Sequence, residues 1–186
     1  MLFRSKGTQA RLLAQHYGLD HLESGALLRL EAAAHSALGQ RIAAILATGE
    51  LVPDDLLLPL IRDRIVALPT DRGFVLDGVP RTVGQAIGLE QALDGLNRPV
   101  DGVVLLTVPD DIVYERLEAR QRADDTPAVI AMRLSIYHEQ IAPLQEYYAR
   151  RNLLYLVNGV GEEATVFVRV IDALGLPPAQ SDEPTS

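Results

Sequence analysis

Cysteine is absent from this 186-residue chain, which removes a disulfide framework and a thiolate metal centre from consideration. Long apolar runs are missing too. No stretch reaches the roughly 20 residues that a bilayer-spanning helix needs, and no charged, apolar leader opens the sequence, so a cytoplasmic protein with no membrane partner is expected. Basic excess is lacking as well: the net charge is -8. A nucleic-acid binder needs a broad cationic surface to displace counterions, so that class is disfavoured. A few converging arginines can still hold a small phosphate ligand against the global charge. Internal repeats and linkers are not seen. With 48% hydrophobic and 23% charged residues, the composition is that of one globular domain large enough to bury its own core.

What is present is concentrated in Gly73-Phe74-Val75-Leu76-Asp77-Gly78-Val79-Pro80-Arg81-Thr82, with Gln85 just beyond. A short apolar run ends in a carboxylate, as in a buried strand that delivers polar groups to the rim of a sheet. Gly78 permits positive φ or a close backbone approach, Pro80 stiffens the exit, and Arg81 offers a planar five-donor fork. The stretch reads either as an anion site or as a strand, a turn and a solvated arginine.

Lys6-Gly7-Thr8-Gln9-Ala10 opens a helix that Gly18 ends. Lys-Gly-Thr at a helix start matches the end of a phosphate-binding loop, yet the glycines and apolar strand that should precede it are lacking, and a casual helix start is the commoner source of such a triplet. Residues 21–52 read as helical, with Ser24-Gly25 as a cap and a second helix from Leu38 to Thr48 stopped by Gly49. Pro53-Asp54-Asp55 starts another, bent near Pro59. Residues 84–95 read as helix, Gly102 to Val108 as a second covered strand, and Pro109-Asp110-Asp111 as a helix start. Arg116 and Arg120 share a face at i, i+4; either an anion or the nearby Glu115 and Glu118 would offset their repulsion. Asp124-Asp125-Thr126-Pro127 is a strong helix start, and Pro143 predicts a break near Ala142. Leu153 to Val157 is a third strand, Asn158-Gly159 a turn, and Glu162 to Leu174 a last helix closed by Gly175. Residues 177–186 read as a disordered tail. Alternating helices and covered strands predict an α/β fold, a parallel sheet sandwiched between helices.

In this order the segments Lys6 to Ala10, Ser24-Gly25 with Arg29, Gly49-Glu50-Leu51-Val52, Asp77 to Thr82 with Gln85-Ala86, and Arg116, Arg120, Arg122 to Asp125 and Arg133 resemble the adenylate kinases. These are the ATP:AMP phosphotransferases of the nucleoside monophosphate kinase family. The resemblance runs from Lys6 to about Leu174 and implies a P-loop-type fold with an AMP-binding insert at about 23–52 and a short lid at about 121–131. It implies ATP, AMP and ADP as partners, magnesium with ATP, and a monomer. By resemblance, Ser24, Arg29, Glu50, Leu51, Val52, Gly78, Val79, Pro80, Arg81 and Gln85 bind AMP, with Arg29 and Arg81 on the α-phosphate and Gln85 on the adenine edge. Lys6, Gly7, Thr8, Arg116 and Arg120 serve ATP, and backbone near Gly161 touches its adenine. Arg122 and Arg133 close over the transferred group and reach AMP from the lid. Lys6, Arg81, Arg120, Arg122 and Arg133 carry the catalysis, and Asp77 organises magnesium through water.

The chain departs from the family at Ala26, where Asp is frequent, at Val79, where Phe is usual, and at Thr126-Pro127-Ala128, where acids are common. The largest departure precedes Lys6, where the first, central strand and most of the glycine loop are not found. Met1 to Ser5 are expected not to be native, and this chain to be poorly active and less stable than its relatives. A kinase for UMP or CMP, or a nucleotide-binding pseudoenzyme without a working loop, is the alternative reading.

Overall fold

A computed structural model describes residues 6–119 and 126–178, with the backbone alone at 116–119. Met1 to Ser5, Arg120, Arg122 and most of the tail therefore lie outside the described residues. Helix α1 (Lys6–Tyr17) is followed by strand β1 (Asp20–Glu23), then α2 (Ser24–Ala33), α3 (Ala37–Thr48) and α4 (Asp54–Val66). Next come β2 (Phe74–Asp77), α5 (Val83–Asp94), β3 (Val103–Thr107) and α6 (Asp110–Ala119). The chain closes with α7 (Pro127–Ala149), β4 (Leu154–Asn158) and α8 (Glu163–Leu174).

Side-chain caps set several helix boundaries, the one at Thr126 as expected. The Ser36 hydroxyl accepts from the Gly39 N–H at the start of α3, Thr82 from Gln85 at α5 and Thr126 from Val129 at α7. Gly49 and Gly175, at φ 80° and 65°, close α3 and α8.

Three expectations are corrected. Residues 20–23 form a strand where a helical stretch was expected from residue 21, and the N-cap of α2 is Glu23, with Ser24 already inside the helix. Four residues, three of them polar, carry no period-2 signal, and parallel pairing with β2 in the register His21 to Val75 and Glu23 to Asp77 imposes the extended backbone. Helix α4 carries Pro59 in its interior, where the sequence placed it. Pro143 does not end α7, which runs unbroken for 23 residues. One lost N–H is outweighed by the anchoring of both halves: Val129 and Ile130 are buried before the proline, and Tyr148 is buried after it. Beyond the proline the Tyr147 hydroxyl also donates to Glu90 of α5 at 2.8 Å.

The fold is α/β with parallel strands, and among the described residues its sheet is in two pieces. Strand β1 pairs with β2, and β3 pairs with β4. Alternate residues of β2 face opposite ways: Val75 packs with α1 and α8 around Leu13, Phe167 and Val170, whereas Phe74 and Leu76 pack with α4 and α5 around Ile61, Leu89 and Leu93. Val104 and Leu106 of β3 join the first of these clusters. Among the described residues no strand stands between β2 and β3, and a cavity of about 1670 Å³ reaches from one to the other. The open middle explains why both strands, apolar enough for a fully covered sheet, are mostly only partly buried. No described helix is long and apolar enough to cross a membrane.

Candidate nucleotide site

The cavity between the two sheet pieces continues past the C-terminal ends of β1 and β2, the rim where an open parallel sheet offers its loops and helix N-termini to a ligand. Here the sequence segments meet. Lys6, at the first position of α1, donates from Nζ to Oδ1 of Asp77 at 2.7 Å across 71 residues of chain. Asp77 is buried at the end of β2, and its other oxygen lies 3.8 Å from Nε2 of His21 on β1. Gly7 lets α1 come this close, because a Cβ there would stand 2.9 Å from Asp77 Oδ2.

Gly78 marks the centre of the cluster. A Cβ on it would meet Ser24 Oγ at 2.6 Å, Arg81 Nη2 at 3.6 Å and Lys6 Nζ at 3.9 Å, so a hydroxyl and two cations converge on one glycine at φ 88°. That conformation is costly for any residue with a side chain. Gly78→Ala should therefore lose about 2–4 kcal/mol of stability from backbone strain and overpacking together. A urea titration reads this as a lower midpoint at unchanged slope; an unmoved midpoint would show that the turn relaxes.

The Arg81 side chain is aimed by its own loop: its Nε donates to the Gly78 carbonyl at 2.8 Å. Its backbone N–H donates to Oε1 of Gln85 at 2.9 Å. Gln85 is almost fully buried, and with Oε1 engaged its amide N–H groups are left for a ligand's acceptor. Arg29 on α2 lines the same cavity and donates from Nη2 to Glu23 Oε1 at 2.9 Å. Glu50, Leu51 and Val52, in the loop after α3, form another wall together with Val79 and Pro80, whose peptide bond is cis. Thr8 and Arg133 line it too. Tyr148 of α7 supplies part of the deeper wall, and burial first, then the Glu90 carboxylate, pushes its pKa up.

One expected residue is not gathered here, and three others are not described in full. Gly161 lies in the loop after β4 at φ 125°, outside the cavity lining, and Arg169 fastens that loop by donating to the Asn158 and Val160 carbonyls at 3.0 and 2.7 Å. Arg116 falls in α6, where the backbone alone is described, and Arg120 and Arg122 lie outside the described residues. Of the short lid, residues 126–131 form the cap and first turn of α7. Sequence reasoning missed Glu23 and His21. Both sit on the unrecognised strand β1, and the only sequence signal was the strand's carboxylate directly before Ser24-Gly25.

The family model "Adenylate kinase" matches residues 4–153. An adenylate kinase of Synechococcus sp. (strain WH7803) is 47% identical over 165 residues, covering 89% of this chain and 90% of its own. One of Prochlorococcus marinus (strain MIT 9211) is 41% identical over 171 residues, 92% of this chain and 91% of its own. A more distant one, of Stenotrophomonas maltophilia (strain R551-3), is 39% identical over 173 residues, 91% and 92% respectively.

Proposed function

The chain belongs to the adenylate kinase family, whose members transfer a phosphoryl group reversibly from ATP to AMP to give two ADP, and from that premise we propose which of its residues do the work. The observation that carries the assignment is the convergence of Ser24 Oγ, Arg81 Nη2 and Lys6 Nζ on Gly78, within the cavity that Arg29 and Gln85 also line.

Arg81 and Arg29 hold the AMP α-phosphate, and Gln85 offers its amide N–H groups to a ring acceptor of adenine. Leu51 and Val52 pack against the base. On the other side Lys6, Gly7 and Thr8 present an ammonium and the donors of a helix N-terminus to the ATP phosphates. Arg116, Arg120, Arg122 and Arg133 complete the cationic shell, and Gly161 backs the ATP adenine. Arginines dominate because phosphoryl transfer asks for alignment, spread of charge over equatorial oxygens and exclusion of water rather than for covalent help.

Among the described residues no cluster of three or more His, Cys, Asp or Glu side chains could cage a metal ion. A single buried carboxylate, Asp77, beside the phosphate site is the donor set that suits magnesium, which keeps its waters and binds substrate phosphates. Asp77 would hold the ion through water, and the ion would neutralise charge on the ATP phosphates. The enzyme is taken to work as a cytoplasmic monomer.

A coupled assay of ADP formation tests the base-reading part. With ATP as donor, AMP is expected to be accepted at least about 100-fold better than UMP or CMP, the range that a site built to hydrogen-bond its substrate reaches. Equal use of UMP or CMP would remove Gln85 from the adenine edge.

A further inference from the structure

A carboxylate inside an anion site calls for an explanation, and Glu23 is such a group. It lines the cavity together with Ser24, Gly25, Arg29 and Arg81. It stands at the N-cap of α2, where a carboxylate would ordinarily accept a backbone N–H of the first turn, yet its side chain makes no capping hydrogen bond. It accepts instead from Arg29 Nη2 at 2.9 Å, across the start of the helix. A Cβ on Gly25 would stand 3.1 Å from Arg29 Nη1 and 3.6 Å from Glu23 Oε1, so the ion pair lies directly over the backbone of Gly25. Neither partner is deeply buried, with side-chain exposures of 36% for Arg29 and 30% for Glu23.

From this geometry we infer that Glu23 is a positioning residue for the AMP phosphate: it gives up its cap to hold the Arg29 guanidinium over the cavity. One arm of the fork is fixed by the carboxylate, and the remaining donors are left for the phosphate. A free arginine of this length would sample many rotamers, and that freedom would have to be given up when AMP binds. Repulsion between the carboxylate and the incoming phosphate is softened by the cation between them and by the solvent that reaches both side chains. The inference rests on the assignment of Arg29 to the AMP phosphate.

The hydrogen bond depends on reach and on an acceptor oxygen more than on charge, and this sets the test. Calorimetric titration of the full chain with AMP, with adenosine and with ATP is expected to show Glu23→Ala binding AMP about tenfold more weakly, with adenosine and ATP unchanged. Glu23→Gln, which keeps an acceptor at the same distance, should restore AMP affinity to within about twofold of the parent. Glu23→Asp, which keeps the charge and loses the reach, should behave as Glu23→Ala. Unchanged or tighter AMP binding by Glu23→Ala overturns the inference, as does equal loss for AMP and adenosine, or Asp restoring affinity where Gln does not. Arg29→Ala is the separate control: if it binds AMP as the parent does, the phosphate assignment of Arg29 itself fails.

Discussion

Replacing Arg81 with Ala should lower ADP formation from ATP and AMP by about 100- to 1000-fold, the worth of one preorganised donor at a developing charge. Stability should hardly move. The side chain is exposed, and its Nε donates to the Gly78 carbonyl. Losing such a bond costs on the order of 1 kcal/mol or less, which shifts the melting temperature of a chain this size by only about 2–4 °C. The backbone N–H that orients Gln85 survives the substitution. Measuring the rate and the melting temperature of the same preparation therefore separates the phosphate role from a folding role. A rate within a few-fold of the parent would take Arg81 out of the phosphate site.

The second large effect comes from the open middle of the sheet. Among the described residues strands β2 and β3 each have one paired neighbour, and a cavity of about 1670 Å³ separates them. Its walls include Val75, Val104 and Leu106 from the strands and Leu13, Tyr148 and Val170 from the helices. Two parallel edges flanking an apolar slot accept an extended segment far better than a helix, because only a strand can hydrogen-bond both edges at once. Fusing a five-residue apolar strand and a glycine-rich turn ahead of Lys6 should therefore raise both stability and rate. Each buried apolar side chain contributes about 2 kcal/mol against about 1.5 kcal/mol for ordering its residue. Covering the existing walls adds more, so a rise of about 5–15 °C in melting temperature is expected. The turn's N–H groups would each bring about 1.5–3 kcal/mol to a bound phosphate, enough to raise ADP formation at least about 100-fold. An unchanged melting temperature would show that the slot does not take a strand, whatever the rate does.

Local chemistry was legible wherever one short stretch supplies its own cause. Gly18, Gly49 and Gly175 end their helices at positive φ, Thr126 and Pro127 start α7, and the stretch around Asp77-Gly78 is a strand running into a charged turn. The ordered set of arginines, Gln85 and the Lys-Gly-Thr triplet was enough for the family, because their chemistry is carried by residue type and spacing. What failed were features whose cause lies elsewhere in the chain. Strand β1 exists through its pairing with β2 about 50 residues on, and α7 passes Pro143 because both of its halves are anchored by packing.

The sequence by itself determined a parallel α/β protein of the adenylate kinase family, since periodicity, caps and the ordered spacing of side-chain types are local properties. Tertiary structure alone decided that Lys6 meets Asp77, that Ser24, Arg81 and Lys6 converge on Gly78, and that Glu23 turns from its helix to Arg29. These are distances between segments far apart in the chain, set by how strands register and helices pack, and no window of residues encodes them.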